Sequence, residues 1–419
     1  MNNCRHCNTR LDFLLIDLGE TPPSNAYILE EDLILPETKY PLRVMVCSTC
    51  WLVQTQDFVN RENMFDKSYA YFSSASESWL LHSRLFAESA KQLLNLGKDS
   101  FVVEIASNDG YLLDFFHSWE IPCLGIEPTS STARIARSKG LNIIEDFFGT
   151  KLANVMISQF PKADLVVANN VFAHVPDIND FAIGLKKILA PGGVISLEFP
   201  HLLELIKFGQ FDTIYHEHYS YLSLRVVQRV LGKAGLKVLS VEQLETHGGS
   251  LRVLATHIEH IAEIDMSVEY ILNLEESAGL EESETYSNFA AGAEIIRVQL
   301  FRLLTVLKNR GLSIVGYGAA AKGNTLLNFA GITKDLLPVV FEISASKIGK
   351  YLPGSKIPVL ESSAIAKYDP DIVIILPWNL KPEILLQLSK ILDSETQYLT
   401  AIPQLIFSNS KGEKIDSSI

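Results

Sequence analysis

The sequence predicts an α/β protein with two Rossmann-like sheets and a small cysteine-rich module at the N-terminus. Two CxxC pairs lie within the first 50 residues, and buried-strand patterns alternate with helix-length segments between residues 101 and 257. A mostly helical stretch over 258–310 separates them from a second strand–helix alternation. Because 419 residues exceed the ~250–300 that one core serves, we expect three domains, at 1–75, 76–257 and 258–419.

The composition is that of a folded protein, with 47% hydrophobic and 20% charged residues. No run of ~18 apolar residues predicts a membrane span, and the opening MNNCRHCNTR lacks the apolar core of a secretory signal. We therefore expect a cytoplasmic protein without a membrane partner. The net charge of −13 argues against nucleic acid as a partner, because sequence-independent binders need a basic face.

The two CxxC pairs predict a structural zinc site with four thiolate ligands. In a reducing compartment such pairs favour metal over disulfides, and each pair can hold one edge of a tetrahedron. A catalytic zinc would need an open coordination position and usually His or carboxylate ligands, so the structural role is favoured. The predicted ligands are Cys4, Cys7, Cys47 and Cys50.

The segment VVEIASNDG, residues 102–110, is typical of a strand and a tight turn at a cofactor site. A dinucleotide site would prefer GxGxxG, but Ala106 and Asn108 stand where glycines are expected and only Gly110 remains. Glu104 at the strand end would repel a pyrophosphate. An adenosyl cofactor with a cationic sulfonium suits an acidic loop better, so we predict S-adenosylmethionine rather than NAD.

Polar residues follow later strands in the order that such a cofactor requires. Glu127 is placed to accept hydrogen bonds from the ribose hydroxyls, and Asp146 and Phe147 to contact the adenine. Asn169 and Asn170 close the next buried strand, where contacts to the methionine part are expected. Since an acid at a strand end is often only a helix cap, the order of these residues supports the prediction more than any one of them.

The segment FDTIYHEHYSY, residues 211–221, concentrates acid–base side chains in one loop. Its HxH pair suggests metal, but no further ligands lie at a characteristic spacing and HExxH is absent. General acid–base chemistry is the better interpretation, because histidine titrates near neutral pH and a neighbouring carboxylate can orient its ring. A purely structural polar cluster is the alternative.

A second glycine-rich segment, GYGAAAKGNT at 316–325, follows a predicted strand and opens a helix. This context is typical of phosphate-binding loops, although the segment is not a Walker P-loop. An NAD-dependent nucleotide-sugar epimerase or dehydrogenase could use such a loop, but a regular GxGxxG and a YxxxK dyad are both missing.

Motifs spread over nearly the whole chain occur here in combination: the CxxC pairs, TPPSNAY, SYAYFSSAS, EIASNDGYLL, GIEP, NNVFAHVPD, YHEHYSYLS, HGGSLR, GYGAAAKGNTLLN, KIGKYLPGSKIPV and LPWN. In this combination the sequence resembles the S-adenosylmethionine-dependent C-methyltransferases that act on nucleotide-linked keto-deoxysugars. The resemblance implies a central methyltransferase domain between the zinc-binding domain and a C-terminal Rossmann-like domain that binds the nucleotide sugar.

The resemblance also implies methyl transfer to the carbon beside a ketone, commonly C3 of a 4-keto-6-deoxyhexose on dTDP. That carbon becomes nucleophilic only after losing a proton, which requires a base and donors for the enolate oxygen. His218 matches the family's base, with Glu217 and Tyr215 in the same motif. Tyr69 and His174 would hydrogen-bond the sugar or its enolate. The methyl group moves directly from sulfonium to carbon, so no catalytic metal is required.

In the resembled family, the C-terminal domain binds the nucleotide part of the substrate. Gly318, Lys322 and Asn324 thereby become candidates for the diphosphate site, with Lys347 as a weaker one. Glu342 stands where the family generally has Asp, which leaves the identity of the nucleotide open.

Two further functions stay open on the sequence alone. Methylation of a sugar oxygen would need a similar base beside a hydroxyl. A zinc-ribbon interaction protein, whose α/β domains serve assembly, is opposed by the crowding in YHEHY and by the two ligand-type loops. We expect the protein to act as a monomer.

Overall fold

The structure is a computed structural model that describes residues 3–56, 73–75 and 77–415. The chain forms two compact units, each assembled from separate segments. Unit 1 comprises Met1–Phe13, Val46–Leu203 and His218–Glu281. Unit 2 comprises Leu14–Met45, Glu204–Glu217 and Glu282–Ile419. The domain boundaries at residues 75 and 257 stay a prediction.

Strands and helices alternate along most of the described chain. The strands are β1 (Phe13–Thr21), β2 (Tyr40–Val46), β3 (Val53–Thr55), β4 (Val102–Ile105), β5 (Cys123–Ile126), β6 (Ile143–Ile144), β7 (Ala163–Asn169), β8 (Leu189–Pro200), β9 (Ser220–Tyr221), β10 (Leu236–Leu244), β11 (Ser250–His257), β12 (Ile314–Tyr317), β13 (Val340–Glu342), β14 (Val359–Glu361), β15 (Ile372–Ile375), β16 (Gln397–Thr400) and β17 (Ile406–Ser408). The α-helices are α1 (Glu77–Leu93), α2 (Leu113–Ser118), α3 (Ser130–Ser138), α4 (Thr150–Gln159), α5 (Ile178–Ile188), α6 (Leu202–Lys207), α7 (Leu224–Lys233), α8 (Met266–Ser277), α9 (Ser283–Asn309), α10 (Ala321–Phe329) and α11 (Lys381–Leu388).

Unit 1 contains a seven-stranded sheet in the order β10-β11-β8-β7-β4-β5-β6. Strands β4 to β8 are parallel, and β11 and β10 complete the sheet in antiparallel pairing. The strand order reverses beside β4, whose neighbours are β5 on one side and β7 on the other. In such a sheet, ligands bind beyond the carboxyl ends of the strands at this reversal.

Helices cover this sheet because their apolar residues recur at helical spacing. In α1, Phe86, Ala87 and Ala90 are buried one turn apart. They belong to a core that includes Leu113 and Phe116 of α2. Phe116 is fully buried, and burial of a side chain of this size contributes about 1.5–3 kcal/mol.

Unit 2 contains a six-stranded sheet in the order β14-β13-β12-β15-β16-β17. All neighbouring strands are parallel except β16 and β17. The order reverses beside β12, and the second glycine-rich segment follows this strand directly. The predicted α/β fold with two Rossmann-like sheets is therefore confirmed, and the glycine-rich segment lies at a position where such sheets bind ligands.

Several strands, β1 and β11 among them, have no counterpart in the sequence prediction. The buried residues of β1 alternate irregularly, and β11 carries Arg252 near its middle, a residue type that is seldom buried without a partner. Among the helices that the structure describes, none is both long and apolar enough to cross a membrane.

Candidate functional site

Four cysteine sulfurs converge in unit 1. The ligand atoms of Cys4, Cys7, Cys47 and Cys50 all lie within 4.8 Å of one another. The Sγ atoms of Cys4 and Cys50 are 3.5 Å apart, and those of Cys7 and Cys47 are 3.4 Å apart. These separations are close to the edges of a tetrahedron around zinc, whose bonds to sulfur are about 2.3 Å long. The four thiols therefore fit the predicted ion.

Both CxxC turns have the same backbone geometry. The amide after each second cysteine donates to the carbonyl of the first, from Asn8 to Cys4 and from Trp51 to Cys47, at 2.9 Å in both cases. Asn8 and Trp51 also share a left-handed φ, of 64° and 61°. The two turns therefore share their backbone conformation as well as their sequence pattern.

Hydrogen-bond donors surround the cysteine cluster. Gln54 Nε2 donates to Cys4 Sγ at 3.2 Å, and the same side chain accepts from the amide of Arg5 at 2.9 Å. Arg229 Nη1 donates to the carbonyl of Cys50 at 2.8 Å. Donors of this kind stabilise the negative charge of a tetrathiolate centre. Gln54 was not predicted from the sequence, because a glutamine in a short strand belongs to no recognisable motif.

The predicted cofactor residues lie at one edge of the unit 1 sheet. Glu104 is in β4, Glu127 follows β5, Asp146 follows β6 and Asn169 ends β7. Because these strands are parallel and adjacent, their carboxyl ends meet at the same edge. Phe147 is half-buried beside the exposed Asp146. The structure thus places all the predicted cofactor residues along this edge.

The loop after β4 has an unusual backbone. Ala106 and Asn108 adopt left-handed φ values of 57° and 50°, as Asn170 does after β7 with 52°. Residues other than glycine rarely adopt this conformation, and such strain concentrates at functional sites. The amide of Asn108 donates to Glu127 Oε2 at 2.9 Å, which fixes the loop against β5. Gly110 has a left-handed φ of 76°, which favours glycine at this position.

The electrostatics of this edge suit a cation. Burial, together with the nearby Glu127 and Asp109, raises the pKa of Glu104 well above its usual value. Burial also raises the pKa of Glu127, although the amides of Thr129 and Asn108 donate to it. A bound cation would relieve the repulsion among these carboxylates, whereas a pyrophosphate would add to it. The site therefore fits the sulfonium and ammonium groups of S-adenosylmethionine.

Two of the predicted catalytic residues meet in unit 1. The rings of His174 and His218 are 4.7 Å apart between centroids and nearly perpendicular. His174 follows β7 in a short 3-10 helix, and the amide of Tyr219 donates to the carbonyl of Ala173 at 2.8 Å. This bond ties the two histidine segments together. Thr55 Oγ1 fixes the other side of the segment by donating to the carbonyl of His218 at 3.0 Å.

Tyr215 and Glu217 belong to unit 2, and Tyr69 lies outside the described residues. Tyr215 is half-buried, while Glu217 is only 3% exposed. The Glu217 carboxylate accepts a hydrogen bond from Asn25 Nδ2 at 2.6 Å. Burial raises the pKa of Glu217 to about 7, and the Asn25 bond opposes that rise. Glu217 therefore changes its charge near neutral pH.

The glycine-rich loop of unit 2 is held by two of its predicted site residues. Glu342 Oε2 accepts from the amide of Ala319 at 2.8 Å, and Lys347 Nζ donates to the Ala319 carbonyl at 2.8 Å. Gly318 has a φ of 85°, and a Cβ at this position would collide with Pro377. Glu342 and Lys347 thus shape the loop itself.

Lys322 and Asn324, in α10, contact residues that sequence analysis misses. Lys322 Nζ donates to Asn379 Oδ1 at 2.7 Å and lies 4.5 Å from the ring centre of Trp378. Burial lowers the pKa of Lys322, and the charge of Asp212 opposes this. Asn324 is buried and donates to the carbonyl of Ser24 at 2.7 Å. The motifs LPWN and TPPSNAY were the available signals for these partners.

Comparisons with known proteins give matches along nearly the whole chain. It is 32% identical to the C-methyltransferase NovU of Streptomyces niveus over 404 residues, which are 96% of this chain and 96% of that protein. Family models match three successive regions: a zinc binding domain at residues 4–65, a methyltransferase domain at 80–241 and a C-methyltransferase C-terminal domain at 245–403.

Solved structures match less than half of the chain at low similarity. An S-adenosylmethionine-dependent methyltransferase from Clostridium acetobutylicum is 13% identical with a TM-score of 0.34, over 42% of this chain and 90% of that chain. An S-adenosylmethionine-dependent methyltransferase from Anabaena variabilis is 14% identical with a TM-score of 0.34, over 42% of this chain and 85% of that chain.

Proposed function

This chain belongs to the S-adenosylmethionine-dependent C-methyltransferase family, and on that premise we propose that it methylates C3, beside the ketone, of a dTDP-linked 4-keto-6-deoxyhexose. The cofactor S-adenosylmethionine and the zinc-binding cysteine cluster are both confirmed. When bound, S-adenosylmethionine supplies an electrophilic methyl group. The residues of the chain must therefore make the acceptor carbon nucleophilic.

The observation that supports carbon methylation most strongly is the contact between His174 and His218. A carbon next to a carbonyl loses its proton only if a base removes it while a donor stabilises the charge that develops on oxygen. In the proposed reaction His218 accepts the α-proton, and His174 donates to the enolate oxygen. Both segments lie beside the end of β7, on the edge of the sheet that carries the cofactor residues.

Glu217 supports the same chemistry through its ionisation. A carboxyl group with a pKa of about 7 is present in both protonation states at neutral pH, as efficient proton transfer requires. We assign Glu217 and Tyr215, from the same motif as His218, to proton handling and to hydrogen bonding of the sugar.

The nucleotide part of the substrate is assigned to the carboxyl end of β12. The loop from Gly318 onward opens α10, so that backbone amides and the helix dipole favour an anion there. Lys322 and Lys347 add positive charge to the same loop. These groups suit the diphosphate of dTDP, and the enzyme is proposed to act as a monomer.

The proposal is tested by incubating the purified protein with ¹³C-methyl-labelled S-adenosylmethionine and a panel of dTDP-, UDP-, GDP- and CDP-linked 4-keto-6-deoxyhexoses. We expect turnover of the dTDP sugar and a labelled methyl group bonded to carbon, which carbon NMR distinguishes from a methyl ether. A labelled methyl ether would instead establish O-methylation. No binding of S-adenosylmethionine or S-adenosylhomocysteine by calorimetry would contradict the proposal entirely.

A further inference from the structure

Asn25 lies in a tight turn that no assigned function explains. The turn is closed by hydrogen bonds of 3.0 Å, from the amide of Ala26 to Pro23 and from the amide of Tyr27 to Asn25. Two prolines, Pro22 and Pro23, restrict the preceding backbone. The Asn25 side chain is therefore held by its backbone in one place, which makes it suited to orient another group.

The group that Asn25 reaches is the catalytic candidate Glu217. Their hydrogen bond of 2.6 Å joins residues 192 positions apart in the chain. Glu217 is 3% exposed, and Asn25 is its one hydrogen-bond partner among the residues that the structure describes. A buried carboxylate with a single donor depends strongly on that donor for its orientation and its charge.

The same turn is fixed to the start of α10. Asn324 Nδ2 donates to the carbonyl of Ser24 at 2.7 Å, and the hydroxyls of Ser24 and Thr325 are 3.4 Å apart. Thr325 Oγ1 also donates to the carbonyl of Ile214, close to Glu217 in sequence, at 2.8 Å. Two consecutive residues of α10 thus hold both the segment that carries Asn25 and the segment that carries Glu217.

The glycine-rich loop reaches the turn from its other end. Tyr27 donates its hydroxyl proton to the carbonyl of Ala319, which also accepts from Lys347. The loop assigned to the diphosphate therefore contacts the turn two residues after Asn25. Hydrogen bonds therefore connect the loop to Glu217 through Tyr27 and Asn25.

We propose that Asn25 is a positioning residue, whose side-chain amide orients the Glu217 carboxylate and links it to the nucleotide-binding loop. The importance of Glu217 for turnover rests on the proposed function, whereas the link itself does not. Because the amide donates to the ionised carboxylate, it favours that form. Removal of the donor must make Glu217 harder to ionise.

The experiment measures Glu217 directly in the full-length protein. Carboxyl-¹³C glutamate is incorporated, and the Glu217 signal is identified by its loss in Glu217→Gln. Its titration is followed by NMR in the wild type, Asn25→Ala and Asn25→Leu, with Asn288→Ala on the exposed face of α9 as the control. We expect the midpoint to move upward by about one pH unit in both Asn25 variants, a tenfold change in the ionisation equilibrium, and to stay in place in the control.

Enzyme kinetics then separates positioning from folding. In Asn25→Ala the acidic side of the pH profile of kcat/KM should move to higher pH, by the same amount as the NMR midpoint. The Kd for S-adenosylmethionine should stay at the wild-type value. If Asn25→Ala fails to fold, Asn25→Leu, which is neutral and of similar size, carries the test. An unchanged Glu217 midpoint in a folded variant would overturn the inference. A wild type that methylates no keto-sugar would overturn the proposed function alone, because the NMR titration needs no substrate.

Discussion

Arg252 donates a hydrogen bond of 2.9 Å to the carboxylate of Glu198, directly opposite it on the neighbouring strand of unit 1. Glu198 is fully buried, and His82 Nε2 lies 2.9 Å from the same carboxylate. Burial opposes ionisation, yet the hydrogen bond and charge of His82 and the charge of Arg252 hold the pKa of Glu198 below its usual value. The sheet therefore contains a buried carboxylate that is paired with the guanidinium of Arg252 and hydrogen-bonded to the imidazole of His82.

Replacement of Glu198 by Gln should destabilise the protein strongly. The substitution keeps the shape but leaves Arg252 without its buried counter-charge, and the loss of one partner of such a pair costs about 3–5 kcal/mol. Denaturant unfolding of Glu198→Gln measures this loss. The matched control is Glu88→Gln, which breaks the exposed pair between Arg84 and Glu88 and should cost about 0–1 kcal/mol. Equal losses in the two variants would contradict this reasoning.

The sequence predicts which residues gather at the cofactor edge of the sheet, but it does not predict the long-range hydrogen bonds of Glu198 and Glu217. Glu104, Glu127 and Asn169 were predictable as neighbours because parallel strands bring their carboxyl ends to one edge. The bond between Glu198 and Arg252 depends on the pairing of β11 with β8. The arginine near the middle of β11 interrupts its apolar pattern, so the sequence does not predict this strand. The bond between Asn25 and Glu217 joins two irregular loops across 192 positions, and such loops carry no periodic signal.

Ionisation of the buried Glu217 should lower the free energy of unfolding as the pH rises. Its pKa in the folded protein is about 7, above the ordinary 4.5. The folded state therefore binds its proton more tightly than the unfolded state does. The resulting contribution is complete below about 4.5 and is lost as the pH rises through 7, at a cost on the order of 3 kcal/mol.

Glu217→Gln tests this pH dependence because glutamine stays neutral and can still accept from Asn25. We expect the variant to match the wild type in Tm near pH 4.5 and to exceed it at pH 8, while losing methyl transfer. Asn288→Asp, on the exposed surface of the same unit, should show no such pH-dependent difference. A Tm difference that does not change with pH would show that the burial of Glu217 carries no ionisation penalty.

Cys47→Ser should release the metal and destabilise the N-terminal region. Cys47 is fully buried in the sulfur cluster, and structural zinc contributes directly to folding free energy. Metal analysis and thermal unfolding of the purified variant measure the two effects. The control is Cys123→Ser, because Cys123 lies outside the cluster and burial raises the pKa of its thiol to about 11. A Cys47→Ser protein with stoichiometric zinc and an unchanged Tm would contradict the assignment.

His174 and His218 should have separable effects on proton exchange. With the keto-sugar in deuterated water, His218→Ala should lose exchange of the α-proton by a factor of about 10²–10⁴, the usual contribution of a general base. His174→Ala should slow exchange by about 10²–10³, as the loss of an oxyanion donor does.

Because the rings are 4.7 Å apart between centroids and serve one proton transfer, the double variant should be little worse than His218→Ala. His117→Ala, at an exposed position of α2, should exchange at the wild-type rate, and all variants should keep their affinity for S-adenosylmethionine.

Undiminished exchange in His218→Ala would move the role of base to another residue, and Glu217 is the candidate because it titrates near neutral pH. In that case Asn25→Ala, which raises the pKa of Glu217, should displace the pH profile of exchange itself. The same set of variants therefore identifies the base whichever of these two residues holds the proton.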